Sequence, residues 1–238
     1  MGALVRAEFY RLRHDKSFWA LLGIVVAAYM LMLTGGHHLE VPGREVLGNI
    51  MGGRAAAAVV IASVYGGLYM GRDFEARTFS LPVETGHSRS SVLLSKAIVF
   101  FLAFDALVLF FPALAVAWCT IANGWGAPPS PIETISILGV FAALALLGAS
   151  IAATALVAAC CFRTPGPTVG IPVAIALVQL PLLNSSSALP AAHFLPFCAT
   201  LYVGDGMLSP VYGGMLGITW CVVLVSASVL LVWKAELR

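Results

Sequence analysis

Long apolar runs separated by short polar stretches dominate the chain. Six of them, at about residues 17–35, 54–70, 96–121, 134–161, 167–183 and 211–233, carry almost no charge. A bilayer core of ~30 Å takes roughly 20 apolar residues in helix. The pattern therefore predicts an all-α integral membrane protein with six transmembrane helices and one membranous domain, 1–238. Residues 1–16 follow another rule. Met1, Val5, Phe9 and Leu12 share one side at helical spacing, while Arg6, Tyr10 and Arg13 share another. This predicts a short basic amphipathic helix, carrying Arg11 as well, that lies on the membrane surface. The plainer alternative is a charged flank that only orients the first span.

The first run is too long for the apolar core of a signal peptide, and no clear A-x-A site follows it, so it reads as retained. A polar stretch occupies 36–53, and a charged connection occupies 71–95. Pro112 predicts a kink in the third span. Residues 123–133 form a Gly/Pro-rich loop, and 162–165 a tight turn. The segment 184–210 is apolar in its middle yet too short and too broken by Pro190 and Pro196 to cross. Such pieces are re-entrant or interfacial.

Composition agrees. The 238 residues are 60% hydrophobic and only 10% charged, with a mean hydropathy of +0.96. Soluble domains average about 25% charged residues. Charge placement orients the chain. With the N-terminus inside, the inner segments hold Arg6, Arg11, Arg13, Lys16, Arg72, Arg77, Arg89, Lys96, Arg163, Lys234 and Arg238, and the outer ones only Arg44 and Arg54. Lysine and arginine concentrate on the cytoplasmic side. Both termini are therefore expected in the cytoplasm, with the chain in a plasma membrane.

Candidate chemistry is sparse. The chain has no G-x-x-x-x-G-K-[ST], no H-E-x-x-H and no G-x-S-x-G. The pair His37-His38 lacks the further ligands a metal site needs, and no metal is expected. Five cysteines form no C-x-x-C pair and read as structural. Asp105 breaks the membrane rule. Counted from Lys96 at ~1.5 Å per residue, it lies about 13 Å deep, where a carboxylate costs at least ~2.5 kcal/mol. It either lines a path for substrate or protons, or packs two helices as a protonated or hydrogen-bonded group. Gly66-Gly67, Gly148-x-x-x-Ala152 and Gly213-x-x-x-Gly217 allow close helix approach, within one chain or across a dimer seam.

The connection from Tyr69 to Lys96 resembles the loop after the second span of type-2 ABC exporter permeases. That family shows an acid, a short gap and a Gly-Thr pair, then a short helix and an S-R-x-x…K stretch. Glu75, Thr78, Ser88, Arg89 and Lys96 occupy those places. Arg77 stands where the family more often has Gly. The start Ala7-Glu8-Phe9-Tyr10-Arg11-Leu12-Arg13 is similar to the family's N-terminal elbow helix, and the broken segment before the sixth span to its short re-entrant hairpin. Length and N-terminal style are similar to permeases of lantibiotic-immunity and bacitracin-resistance exporters. The resemblance implies a transport role in antibiotic resistance or immunity, with no catalysis in this chain. ATP and Mg would sit on a separate ABC ATPase subunit, and a second permease chain, the same or different, would complete the unit. Asp73, Glu75, Arg77, Thr78, Glu84 and Arg89 would form the ATPase-coupling loop, and the N-terminal helix would meet membrane lipid. No nucleic-acid partner is implied. Two rival readings are a proton-coupled secondary carrier using Asp105 and a non-transporting membrane sensor or assembly protein.

Overall fold

The computed structural model describes residues 1–35, 42–52, 54–76, 78–127, 130–183 and 192–234. Every regular element among them is helical. Helix α1 (Gly2–His14) is followed at once by α2 (Lys16–Gly35). Asp15 makes the corner. Its backbone is extended (φ −76°, ψ 109°), and its carboxylate accepts the Ser17 N–H at 2.9 Å. A short acid there satisfies one of the donors that every helix start leaves open.

Helices α3 (Gly43–Gly52) and α4 (Arg54–Gly66) follow, and α4 runs into a π turn at Gly67–Gly71. Two short helices, α5 (Arg72–Glu75) and α6 (Ser80–Glu84), make the connection to α7 (Arg89–Asn123). Ser88 caps α7 by accepting the Ser91 N–H at 3.3 Å. Helix α8 (Pro131–Phe162) starts on Ser130, which accepts the Glu133 N–H, with Pro131 at the position where a missing donor costs nothing. It stops at Arg163, whose left-handed backbone (φ 55°) reverses the chain into α9 (Pro165–Leu183). Then come α10 (Pro196–Gly204) and α11 (Pro210–Lys234).

Three helices, α7, α8 and α11, are long and apolar enough to cross a membrane. Shorter apolar stretches lie in α2 (Lys16–Ala28) and α9 (Pro165–Gln179). At ~1.5 Å per residue the 35-residue α7 reaches about 52 Å, well beyond a ~30 Å core. It begins seven residues before the predicted span at 96–121, so the charged Ser88-Arg89 stretch belongs to the same helix as the apolar run.

Helix α8 is the spine, packing on α11, α9, α10, α4 and α7. Missing side chains allow the closest approaches. A Cβ on Gly217 would lie 2.7 Å from the Leu146 carbonyl carbon, and one on Gly213 2.6 Å from Val203. Gly66 lies against Ala155, and Gly71 against the Pro165 backbone. These glycines thus serve packing within one chain, one of the two uses their spacing allows.

One region differs from the sequence expectation. The stretch 36–53, expected to be a polar loop, contains α3. Val46 is fully buried against Ala115 and Cys119 of α7, and the Gly43 N–H donates to the Gly124 carbonyl at 3.1 Å. Helix α10 lies in the broken segment 184–210, expected to be re-entrant or interfacial. Phe197, Cys198, Ala199 and Val203 are buried among α8, α4 and α11. The segment 184–191 lies outside the described residues, as do His37 and His38.

Gly217→Ala is expected to lower stability by about 1–3 kcal/mol, because the added methyl meets backbone rather than a movable side chain. Gly170→Ala, which meets nothing within 4 Å, should be neutral or slightly stabilising. Melting curves of the purified variants in one detergent test the pair.

Candidate functional site

Charge gathers where α1, the π turn, α5 and α7 meet. Glu8 and Arg11 lie one turn apart on α1, so both point the same way. The turn that hydrogen-bonds α1 also sends Leu12 into the core beside them, with Leu4 and Val5 packed on its edge. Opposite stand Tyr69 from the π turn, Asp73 from α5 and Lys96 from the second turn of α7. Tyr69 is fully buried, and Lys96 is 2% exposed.

Asp73 is the hub. Arg11 donates to both its oxygens, at 2.7 Å and 2.6 Å. Lys96 Nζ donates to Asp73 Oδ2 at 2.7 Å and to Glu8 Oε1 at 2.6 Å. Thr78 Oγ1 donates to Asp73 Oδ1 at 3.1 Å, and the Tyr69 hydroxyl to Glu8 Oε2 at 2.8 Å. Arg11 also lies over the Tyr69 ring, 5.0 Å from its centre, and that ring stacks with Tyr65 and Phe100. Two carboxylates and two cations make a neutral set with every charge opposed. This is the condition under which buried charges are tolerated.

The electrostatics follow the geometry. Burial by itself pushes the Asp73 carboxyl upward. The hydrogen bonds from Arg11 and Lys96, with their charges, outweigh it and hold Asp73 below the usual carboxylate range. Burial pushes Arg11 down, but the Asp73 bond and the Asp73 and Glu8 charges leave it raised and permanently cationic.

Each oxygen of the two carboxylates accepts at least one hydrogen bond, so the cluster ties α1, the π turn, α5 and α7 together. Among the described residues, no three His, Cys, Asp or Glu side chains converge to hold a metal ion.

The structure sorts the predicted site residues. Arg11, Asp73 and Thr78 come together. Of the predicted coupling-loop residues, Asp73 is buried and bonded to Arg11 and Lys96, which supply the charge it needs, and Thr78 is exposed and donates to Asp73. Glu75 and Glu84 remain exposed, with no ion pair among the described residues. Arg89 opens α7 and is half-buried. Arg77 lies outside the described residues. On α1, Leu12 is buried, Arg6 and Arg13 are exposed, and Phe9 is 42% exposed. The predicted apolar side of α1 is therefore divided between core and surroundings.

Asp105 is far from this cluster. It is half-buried on α7 opposite Gly148 of α8, where a Cβ would lie 3.4 Å from Asp105 Oδ1, and it has no hydrogen-bond partner among the described residues. Glu8 and Tyr69 join the cluster without having been singled out in the sequence, and Lys96, placed there only at the end of the S-R-x-x…K stretch, joins it as a buried cation. The available signal was the Glu8-x-x-Arg11 spacing together with a lysine at the mouth of an apolar run. Both also fit a solvated flank.

Compared with protein-family models, curated proteins and solved structures, the chain matches none.

Removing one partner of a buried pair costs about 3–5 kcal/mol. Asp73→Ala, which strands Lys96 and Arg11, is expected to fall in that range. The double variant Asp73→Ala/Lys96→Met should recover part of the loss, as a melting-curve cycle in detergent would reveal. The pH dependence has a definite sign. A depressed folded value means that the Asp73 contribution is complete above about pH 4 and lost as pH falls through the folded value. Acid melting series of wild type and Asp73→Asn should show the smaller decline for the variant.

Proposed function

We propose that the chain is the permease subunit of an ATP-binding-cassette exporter. It would move an amphipathic peptide, antibiotic or lipid, driven by a separate ATPase subunit that holds ATP and Mg. The observation that carries this reading is the charge cluster. It joins the N-terminal helix, the connection after the second apolar run and the start of α7 into one unit. A push on that connection then moves helices instead of being absorbed by a slack loop.

The exposed part of the same connection offers the contact. Glu75 and Glu84 are exposed acids, and Leu81 between them is 57% exposed. A partner groove carrying cations and an apolar floor would fit this face. In this reading α2, α4, α7, α8, α9 and α11 are six crossings, and α10 is one arm of a re-entrant segment. Both termini are cytoplasmic, in a bacterial plasma membrane. Phe9, Arg6 and Arg13 of α1 meet lipid, and a second permease chain completes the pathway. Resistance or immunity to a membrane-active antibiotic is the corresponding physiological role.

Asp105 favours a second reading. A carboxyl with no hydrogen-bond partner among the described residues suits a proton-coupled carrier, which would transport without any ATPase and fail on Asp105→Asn. A sensor or assembly protein would use the same exposed acids to bind a partner, without substrate-linked ATP hydrolysis.

Co-expression with ATPase subunits encoded beside the gene tests the main reading. A stable complex is expected, and Glu75→Arg with Glu84→Arg should dissolve it while leaving the melting temperature of the free chain unchanged. Absence of any complex, together with proton-driven solute uptake by the chain alone, would replace the permease reading with the carrier.

A further inference from the structure

Helices α9 and α11 both pack on α8. The space between them is a cavity of about 240 Å³. Ile151 and Thr154 of α8 form its floor. Pro172, Ala176 and Gln179 stand along the α9 wall, and Trp220 and Leu224 along the α11 wall. The roof is the start of α10, where Pro196 and Phe197 close one end. Buried Val59 of α4 also lines it, and Ile175 of α9, 40% exposed, stands on its outer side.

The polar groups around it are nearly all spoken for. Thr154 Oγ1 donates to the Ile151 carbonyl at 2.7 Å, and Trp220 Nε1 to the Phe194 carbonyl at 2.8 Å. Gln179 is the exception. It is 7% exposed, and its side-chain oxygen receives only a Cys198 thiol at 4.0 Å. Its amide N–H groups have no acceptor among the described residues. Water needs two to four polar partners to settle in such a place, and these walls do not supply them. A hydrocarbon chain gains dispersion contacts on every wall.

Position along α9 identifies the class of chain. Gln179 lies four residues, about 6 Å, from the helix end at Leu183, and Pro172 lies a further seven residues, about 10 Å, along the helix. With α9 across the bilayer, Gln179 stands just beneath the lipid–water boundary on the side away from α1. An acyl ester carbonyl sits at that depth, with its chain descending past Ala176 to Pro172. The volume exceeds the ~150 Å³ of an engineered apolar cavity that takes up benzene, enough for a length of hydrocarbon chain.

We propose that this cavity is a specific site for one acyl chain of a bilayer phospholipid, in the leaflet away from α1. Its ester carbonyl accepts a hydrogen bond from the Gln179 amide. The site shares with the proposed function only the placing of α9 and α11 in the bilayer. It needs no ATPase and stands whether the chain exports, exchanges protons or senses.

The test uses the full chain in phosphatidylcholine vesicles containing a phosphatidylcholine with a photoreactive diazirine in one acyl chain. After illumination, peptide mapping should place label on the cavity walls, around Ile151, Ala176 and Trp220, several-fold above the exposed faces of α2 and α11. Ala176→Phe fills the cavity and should remove that excess while the melting temperature holds or rises. If that variant fails to fold, Ala176→Leu should remove part of the excess. Gln179→Leu should weaken labelling about fivefold, the worth of one neutral hydrogen bond. Label spread in proportion to helix exposure, and unmoved by these variants, would overturn the site. Displacement of the label by a free fatty amide but not by unlabelled phospholipid would overturn the lipid assignment.

Discussion

Two carboxylates and a lysine withdrawn from water, closed off by a partly exposed arginine, hold the N-terminal helix to the rest of the molecule. Glu8 and Arg11 have no reason to leave solvent alone, and neither do Asp73 or Lys96. Each would be costly to bury unpaired, and the set is tolerable only complete. This makes the joint all-or-none. Helix α1 cannot slide by one residue without exposing all four charges to the wrong neighbours. The π turn at Gly67–Gly71 belongs to the same constraint. An extra residue per turn re-aims the chain after α4, with Tyr69 hydrogen-bonded to Glu8 and Asp73 presented to Arg11 and Lys96.

The rest of the bundle is held by shape. Helix α8 is rich in alanine along its buried face, at Ala143, Ala149, Ala152, Ala153, Ala155, Ala158 and Ala159. Its neighbours contribute glycines where they cross it. In a hydrocarbon solvent, apolar burial gives little reason for helices to associate, so close backbone approach and dispersion take its place. The two regimes divide the molecule: dense apolar packing along the helices, and a compact charged joint at the end where α1 lies. The joint touches α7 directly, and α7 packs in turn on α8.

The same division explains the two unusual polar groups outside the joint. Asp105 of α7 lies opposite Gly148 of α8, and Gln179 lines the cavity that α8, α9 and α11 enclose. Polar side chains in such places carry specificity out of proportion to their number, because nothing nearby competes for their hydrogen bonds.

Much of this was legible in the one-dimensional pattern. Apolar runs of near-bilayer length, polar breaks between them and an amphipathic start follow from local composition and periodicity, and they determined an all-helical structure, with helices long and apolar enough to cross a membrane and α1 as a separate element. The cysteines, the small-residue stripes and the anomalous Asp105 were visible for the same reason. Tertiary structure alone decided which charges meet. Glu8 and Lys96 are 88 residues apart in sequence, and no local signal distinguishes a lysine that caps a span in water from one that neutralises two buried acids. It also decided that the stretch after α2 holds a packed helix, since Val46 earns burial only because α7 offers Ala115 and Cys119 at matching height. Periodicity reports a residue's own helix; partnership depends on the crossing of several.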